Sequence, residues 1–416
     1  MTLEQHAAHI AKEHGTPVWI YDASIIRERI RTLKTFDTVR FAQKALSNLS
    51  ILSLMREEGV KLDAVSLGEI ERAIKAGFNP RSNVEGPSDL VYTSDVFDRQ
   101  TLARIVELGV EANLGSLDMI EQLGERSPGH RVWLRINPGF GHGHSPKTNT
   151  GGPNSKHGIW HEQLQQALEL LSRYDLHLVG VHVHIGSGVD YGHLGQVCDA
   201  ITQLLEQIDR PIEALSAGGG LSVPYREGEE PIDVEHYFSL WDTVRRHAQT
   251  RYGRPVRLEL EPGRFLVAES GTLVCEVRAV KQQGANPFTL VDAGFNELIR
   301  PPLYGSYHRA SLVAQAPQRP SINTIIAGPL CESGDVFTLA SDGALRFENM
   351  SQPTPGPTPG DLILFHNAGA YGASMSSNYN SRPLVPEYLL DGEDSRLIRR
   401  RQTFDELLGP ELACLN

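Results

Sequence analysis

Short apolar runs alternate with stretches of helical periodicity through the first two thirds of the chain. The runs are Val39–Lys44, Lys61–Ser66, Leu90–Thr93, Glu111–Leu114, Arg131–Asn137, Val179–Gly186, Glu213–Ala217 and Val256–Glu261. They are short and strand-like, the first of them mostly apolar. The stretches between them carry helix signals. Ser66-x-x-Glu69 reads as a capping box opening a helix that Gly77 closes, and the amphipathic Val234–Tyr252 stops at Gly253. Strand and helix in alternation predict parallel βαβ units, and eight of them predict a (β/α)8 barrel of the TIM type. Counting alone leaves an open doubly wound sheet as the alternative. Past about residue 270 the pattern turns to β sequence punctuated by turns: Gly271–Lys281, Pro287–Asp292, Ile322–Ala327, Val336–Ala340 and Asp361–His366, with Gln352–Gly360 as a proline-rich exposed loop. The expected organisation is therefore a barrel over 23–268 and a C-terminal antiparallel β-sandwich or barrel over 269–416, to which residues 1–22 contribute.

A barrel of this kind builds its site from loops at the C-terminal ends of its strands, and chemically useful side chains collect there. Lys44 closes the first run, with Asp63 and Ser66 at the second. Arg135 and Asn137 close the fifth, and His182, His184 and Ser187 close the sixth. Gly218, Gly219 and Gly220 follow the seventh, and Glu261-Pro262-Gly263-Arg264 ends the eighth. A strand-end lysine is either a solvated terminus or a desolvated nucleophile. Three glycines after a late barrel strand suit close approach of backbone N–H groups to an anion, or make a tight turn. Arg264 suits a phosphate and Glu261 a ring nitrogen, although the two also suit each other as an ion pair. His182 and His184, at period two, share one side of a strand. A metal would need a third ligand, which no recognisable spacing offers, so no metal is expected; two plain barrel-interior histidines are the commoner reading, and a flat ring stacked on a cofactor ring is the alternative. The loop 139–158, rich in glycine and small polar residues, reads equally as a flap over the barrel mouth or as a plain surface loop.

Composition narrows the partners. The 416 residues carry 39 basic and 51 acidic side chains, a formal net charge of −12, with no basic stripe to follow a phosphate backbone, which argues against nucleic acid. No run is long enough to span a bilayer, and the N-terminus lacks a signal-peptide pattern, so a cytoplasmic location is expected. Cys198, Cys275, Cys331 and Cys414 lie far apart and predict reduced, mostly buried thiols. In the β domain, Arg300 follows a turn, either as a plain surface arginine or in reach of a substrate carboxylate, with Tyr304 close behind. Cys331-Glu332-Ser-Gly-Asp335 sets a thiol beside a carboxylate, and Gly369-Ala-Tyr371 carries one phenol in a small-residue turn, where it is either a site residue or a buried core tyrosine.

Phe41-Ala-Gln-Lys44, His182-Val-His184-Ile-Gly-Ser187, Gly218-Gly-Gly-Leu221, Glu261-Pro-Gly-Arg264, Asp292-Ala-Gly, Cys331-Glu-Ser-Gly-Asp335 and Gly369-Ala-Tyr371 together resemble the diaminopimelate decarboxylases. These are pyridoxal-phosphate enzymes with an alanine-racemase-like barrel and a C-terminal β domain. The likeness runs in order from about residue 15 nearly to the C-terminus. Two places depart from it: Leu46 stands where many members have Asn, and His157 where many have Phe. The resemblance implies pyridoxal 5'-phosphate held covalently by Lys44, with His184 stacked on its ring. Gly218, Gly219, Gly220, Arg264, Ser187 and Tyr371 would surround its phosphate, and Glu261 would face the pyridine nitrogen. It implies that Arg264, Arg300, Tyr304, Glu332 and Tyr371 bind meso-diaminopimelate, that Cys331 protonates the carbon left by CO2, and that Cys331 and Glu332 enter from the second subunit of a homodimer. A basic amino-acid or polyamine-pathway decarboxylase and an amino-acid racemase of the same fold are the alternatives. Against the first speaks the 331–335 stretch, and Arg300 is better suited to diaminopimelate than to ornithine, whose distal end is only an amine.

Overall fold

In the computed structural model, which describes residues 1–140, 151–184, 186, 190–315, 322–340, 343–346, 348–349 and 356–415, the chain divides into two compact units. One comprises Glu28–Ser222 and Pro231–Leu266; the other comprises Met1–Arg27, Val223–Glu230 and Val267–Asn416. The first strand in the chain, β1 (Val18–Asp22), lies in the second of these. The barrel strands are β2 (Thr38–Ala42), β3 (Lys61–Ala64), β4 (Leu90–Ser94), β5 (Glu111–Leu114), β6 (Arg131–Asn137), β8 (His177–His182), β9 (Ala214–Ser216) and β10 (Arg257–Leu260), with the two-residue β7 (Ile159–Trp160) set beside the end of β6. Each barrel strand pairs in parallel with the next, and β10 pairs with β2 to close the ring. All eight runs therefore form strands. Closure is what excludes the open sheet.

The barrel strands are buried on both faces, and the buried charged side chains at one end of them are paired. At the N-terminal end of the barrel, Arg40 donates to Glu259 at 2.6 Å and to the Ser88 carbonyl at 2.7 Å. Glu111 accepts from Ser88 (2.6 Å), Trp133 (3.0 Å) and Arg131 (3.2 Å), and Arg131 reaches on to Glu213 at 2.8 Å. Removing one partner from such a buried pair strands the other charge, at a cost of roughly 3–5 kcal/mol. This polar floor lies opposite the strand ends that carry the candidate site. Side-chain oxygens of Asn48, Ser66, Asp98, Ser116, Asp190 and Asp233 cap helices on the ring outside, each worth about 1 kcal/mol. Ser66 accepts from the Glu69 N–H as expected, but the Glu69 carboxylate turns to the Val65 N–H at 2.7 Å. Gly253 closes the Val234–Tyr252 helix in the left-handed conformation.

The other unit is built on β1, which pairs antiparallel with β11 (Gly271–Gln283) and parallel with β17 (Glu387–Asp391). The sheet continues through β12 (Asn286–Val291), β14 (Asn323–Ala327) and β15 (Glu348–Asn349), with β16 (Leu362–Phe365) paired to β11, β13 (Ala310–Val313) outside β16, and β18 (Asp394–Arg399) outside β17. Most pairings are antiparallel. Two are parallel, β1 with β17 and β12 with β14, so the sheet is mixed. Residues 336–340 form no strand, only isolated bridges of Val336 to Ala327 and of Leu339 to Leu345. The helix Leu3–His14, opened by a Thr2–Gln5 capping box, contributes Ala7 and Ile10 to a core with Val18, Ile20, Val274, Leu364 and Leu390. Cys198 and Cys275 are buried thiols, but Cys331 and Cys414 are exposed. No helix among the described residues is long and apolar enough to cross a membrane.

Candidate active site

Lys44 does not end a strand. Strand β2 stops at Ala42, and Lys44 is the middle residue of a 3-10 turn, Gln43–Ala45, exposed between two buried neighbours. The end of β10 is fitted against that turn. The Pro262 carbonyl accepts from the Ala42 N–H at 3.2 Å, and a Cβ at Gly263 would stand 3.2 Å from both the Ala42 oxygen and the Ala45 Cβ. Pro262 and Gly263 thus seat the Glu261–Arg264 segment beside the lysine turn, and Arg264 opens the short helix Arg264–Val267.

The three glycines after β9 are required by close approach of backbones. A Cβ would lie 2.1 Å from the Val183 oxygen at Gly218, 2.4 Å from the Glu261 oxygen at Gly219 and 2.2 Å from the Gly186 oxygen at Gly220. Gly218 and Gly220 also have positive φ, +62° and +102°. The turn is thereby clamped between the ends of β8 and β10. Its N–H groups are partly committed: Gly218 donates to Ser216 Oγ at 3.2 Å and Gly219 to His184 Nδ1 at 2.9 Å. Among the described residues, Gly220 is the one of the three whose N–H has no protein acceptor.

The two histidines are held differently. His182 donates through Nε2 to Glu261 at 2.7 Å, while Ser216 donates to the other Glu261 oxygen at 3.2 Å. Burial works to raise the Glu261 carboxyl, but His182, Arg40 and Arg135 outweigh it and hold the group below its ordinary value, ionised. His184 accepts at Nδ1, so its proton sits on Nε2. Burial, then the charges of Lys44, Arg135, His182 and His157, keep this ring well below the usual histidine range and therefore neutral. Asp63, at the end of β3, is buried with Oδ1 unpartnered among the described residues. Burial first, then Glu261, push it up to about 8, against the pull of Lys44. One strand-end layer therefore holds an exposed amine, a neutral imidazole, a neutral carboxyl and an ionised carboxylate.

Beyond β4 lies a residue the sequence reading passed over. Asp95 accepts from the Gly158 N–H at 2.9 Å, contacts His157 Nδ1 and takes Arg135 Nη1 at 3.4 Å. Gly115 leaves it room, since a Cβ there would stand 2.4 Å from Asp95 Oδ1. The rule that strand ends build the site would have found Asp95, because β4 was a strand for which no site residue was named. Asn137 ties both ends of the loop above: its Oδ1 accepts from Gly139 and Gly152, and its Nδ2 donates to the carbonyls of Gly152 and His157. The described ends of the 139–158 loop are anchored, while residues 141–150, like Ser187, lie outside the described residues.

The remaining expected residues belong to the other unit. Arg300 opens the helix Arg300–Tyr304, which Pro301 and Pro302 start and Gly305 ends. Its side chain is buried and donates to Tyr225 Oη at 3.1 Å, whereas Tyr304 is exposed. The 330–335 turn is organised by Asp335, whose two oxygens accept from the Phe295 and Leu330 N–H groups, each at 2.7 Å. The turn displays Cys331 and Glu332: the Cys331 N–H donates to Asn380 Oδ1 at 3.1 Å, and Tyr379 donates to Glu332 at 2.7 Å. Tyr371 sits at φ +59° between close-packed glycines, with Gly369 pressed on the Val267 oxygen and Gly372 on Trp19. Tyr225 and His308, both against Arg300, carried no sequence signal.

Pyridoxal phosphate asks for an amine, donors for a phosphate and an ionised acid for a protonated ring nitrogen. Lys44, the Gly220 N–H and Glu261, with Arg264 at the start of the next helix, are the groups at one end of the barrel that would answer those demands. Compared with known proteins, residues 22–268 match the pyridoxal-binding domain of the pyridoxal-dependent decarboxylases. The diaminopimelate decarboxylase of Escherichia coli K12 is 57% identical over 412 residues, covering 98% of this chain and 96% of the relative. A crystal structure of diaminopimelate decarboxylase superposes with a TM-score of 0.93 at 57% identity over 98% of this chain and 96% of the other. The Helicobacter pylori diaminopimelate decarboxylase complexed with L-lysine gives 0.85 at 29% identity, over 98% of this chain and 100% of that one.

Proposed function

Because the chain belongs to the diaminopimelate decarboxylases, a family of pyridoxal-dependent enzymes, we propose that its two sets of residues divide the work between cofactor and substrate. The reaction removes CO2 from meso-diaminopimelate and releases L-lysine, the last step of lysine biosynthesis, with pyridoxal 5'-phosphate as cofactor. When bound, that cofactor supplies an electron sink for the pair left on carbon as CO2 departs. The observation that carries the division is Glu261, a buried carboxyl held ionised by His182, Arg40 and Arg135 at the strand ends that present Lys44.

In this reading, residues 23–268 hold the cofactor and the rest of the chain forms the second domain. Lys44 binds the cofactor covalently through Nζ, and Glu261 holds a proton on the ring nitrogen. His184, neutral because Gly219 donates to its Nδ1, offers a flat uncharged face to the ring. Gly218, Gly219 and Gly220 let the backbone come close to the phosphate, where Gly220 supplies its N–H and Arg264, Ser187 and Tyr371 complete the ring of donors. Arg300, with Arg264, Tyr304, Glu332 and Tyr371, takes the distal end of the substrate, and its guanidinium answers the carboxylate that ornithine lacks. Cys331 delivers the proton to the carbon that lost CO2. The exposure of Cys331 on a turn that Asp335 pins supports a role toward a neighbouring subunit, and we assign the enzyme as a cytoplasmic homodimer with shared sites.

The test is to incubate the purified protein with meso-diaminopimelate, with and without added cofactor, and follow CO2 and lysine. Borohydride reduction and peptide mass spectrometry should then place the cofactor on Lys44. An adduct on another lysine would overturn the assignment of Lys44, and inverted diaminopimelate without CO2 would overturn the role given to Cys331.

A further inference from the structure

Arg300 is a buried cation, 4% exposed, and something must keep its guanidinium oriented. Two aromatic side chains of the same unit do so. Nη1 donates to Tyr225 Oη at 3.1 Å and lies 3.1 Å from His308 Nε2, while the guanidinium carbon stands 5.2 Å over the Tyr225 ring. Tyr225 meets His308 edge-on at 5.6 Å. A guanidinium only donates, so His308 Nε2 is the acceptor. Its proton then resides on Nδ1, which donates to the His366 carbonyl at 3.1 Å. Both ring nitrogens are thereby assigned by their partners. The support is rigid on both sides, since the His366 N–H donates to the Arg309 carbonyl at 2.9 Å and Asn367 Nδ2 donates to the Pro224 carbonyl at 3.1 Å, beside Tyr225.

We propose that His308 is a positioning residue for substrate recognition: a neutral imidazole that holds Arg300 in the orientation in which it meets the substrate's distal carboxylate. The choice of an uncharged acceptor has a physical reason. An Asp or Glu in its place would pair with Arg300 and compete with the incoming carboxylate, whereas imidazole accepts one N–H and leaves the positive charge intact. This inference rests on the reading of Arg300 given above.

The experiment compares His308→Phe, His308→Gln and Arg300→Met as full-length holoenzymes. For His308→Phe we expect the KM for meso-diaminopimelate to rise about tenfold, the loss of one charge-assisted hydrogen bond, with kcat within about threefold of wild type and the cofactor's absorbance spectrum unchanged. The inhibition constant for L-lysine, which retains the carboxylate, should rise in step, while that for 1,5-diaminopentane, which has none, should stay the same. His308→Gln, whose Oε1 can accept from Arg300, should recover most of the affinity. Unchanged KM in His308→Phe, an equal loss for diaminopentane, or no recovery in His308→Gln each overturns the proposal. If His308→Phe does not fold, His308→Asp asks the same question: a carboxylate paired with Arg300 should weaken lysine but spare diaminopentane, and equal effects on both refute the proposal. Arg300→Met separates the two levels. If it leaves lysine and diaminopimelate binding unchanged, the reading of Arg300 fails; if it weakens both while His308→Phe does not, only the role of His308 fails.

Discussion

Asp63 shows how far a single residue's chemistry depends on neighbours distant in sequence. Its carboxyl rises from 3.8 to about 8 through burial and then through Glu261, which lies 261 − 63 = 198 residues further along the chain. The sign of the consequence for stability follows from proton linkage. Between an ordinary aspartate's pKa and about 8, the folded state holds a proton that the unfolded chain has released, so stability falls as pH rises through that window. The cofactor-free enzyme should therefore lose melting temperature from about pH 5 to about pH 9 more steeply than Asp63→Asn, in which that proton is absent. Parallel slopes in thermal unfolding across that range would show that another group carries the effect. Individual side chains of reactive type, Lys44, Glu261, Cys331 and Arg300, were legible because reactive types at strand ends and turns are few. Tyr225 and His308 were not, because a lone Tyr or His has no local pattern and their roles consist in contacts across the fold, whereas Asp95, just past the end of β4, was open to the strand-end rule.

At the scale of elements, every barrel strand was visible, since each is a short run with apolar side chains at successive or alternate positions, bounded by helical sequence. Their ends were less so. The lysine turn Gln43–Ala45 is helical because the β10 end presses on it through Pro262 and Gly263, a constraint that the run Val39–Lys44 does not carry within itself. In the other unit, Val18–Asp22 and Glu387–Asp391 pair in parallel although hundreds of residues separate them, and no local periodicity encodes that. The glycine turn after β9 offers the sharpest test. A Cβ at Gly219 would fall 2.4 Å from the Glu261 oxygen, and backbone cannot move aside as a flexible side chain can. Gly219→Ala should therefore separate the β9 and β10 ends and weaken cofactor binding at least tenfold, about 1.4 kcal/mol, with far-UV circular dichroism unchanged. Wild-type cofactor affinity in a titration of the variant would mean that the turn does not bear on the site.

At the scale of the whole molecule, the proposed homodimer places Lys44 of one subunit and Cys331 of the other at a shared site. Lys44→Ala and Cys331→Ala, each inactive alone, should then complement when unfolded together and refolded, giving about a quarter of wild-type activity by statistical pairing. No recovery, with dimers present by light scattering, would place both residues in one subunit's site. The sequence by itself determined the barrel's strands, the change to β texture near residue 270 and which reactive side chains are candidates for the site, because these reside in local periodicity and in the scarcity of reactive side chains. Only the tertiary structure decided that the ring closes from β10 to β2, that the second sheet is mixed, that Glu261 is ionised while Asp63 is neutral, and that Asp95 and His308 hold other residues in place. Those properties arise from burial and from charges brought together by the fold, and neither exists in the chain until the strands have closed.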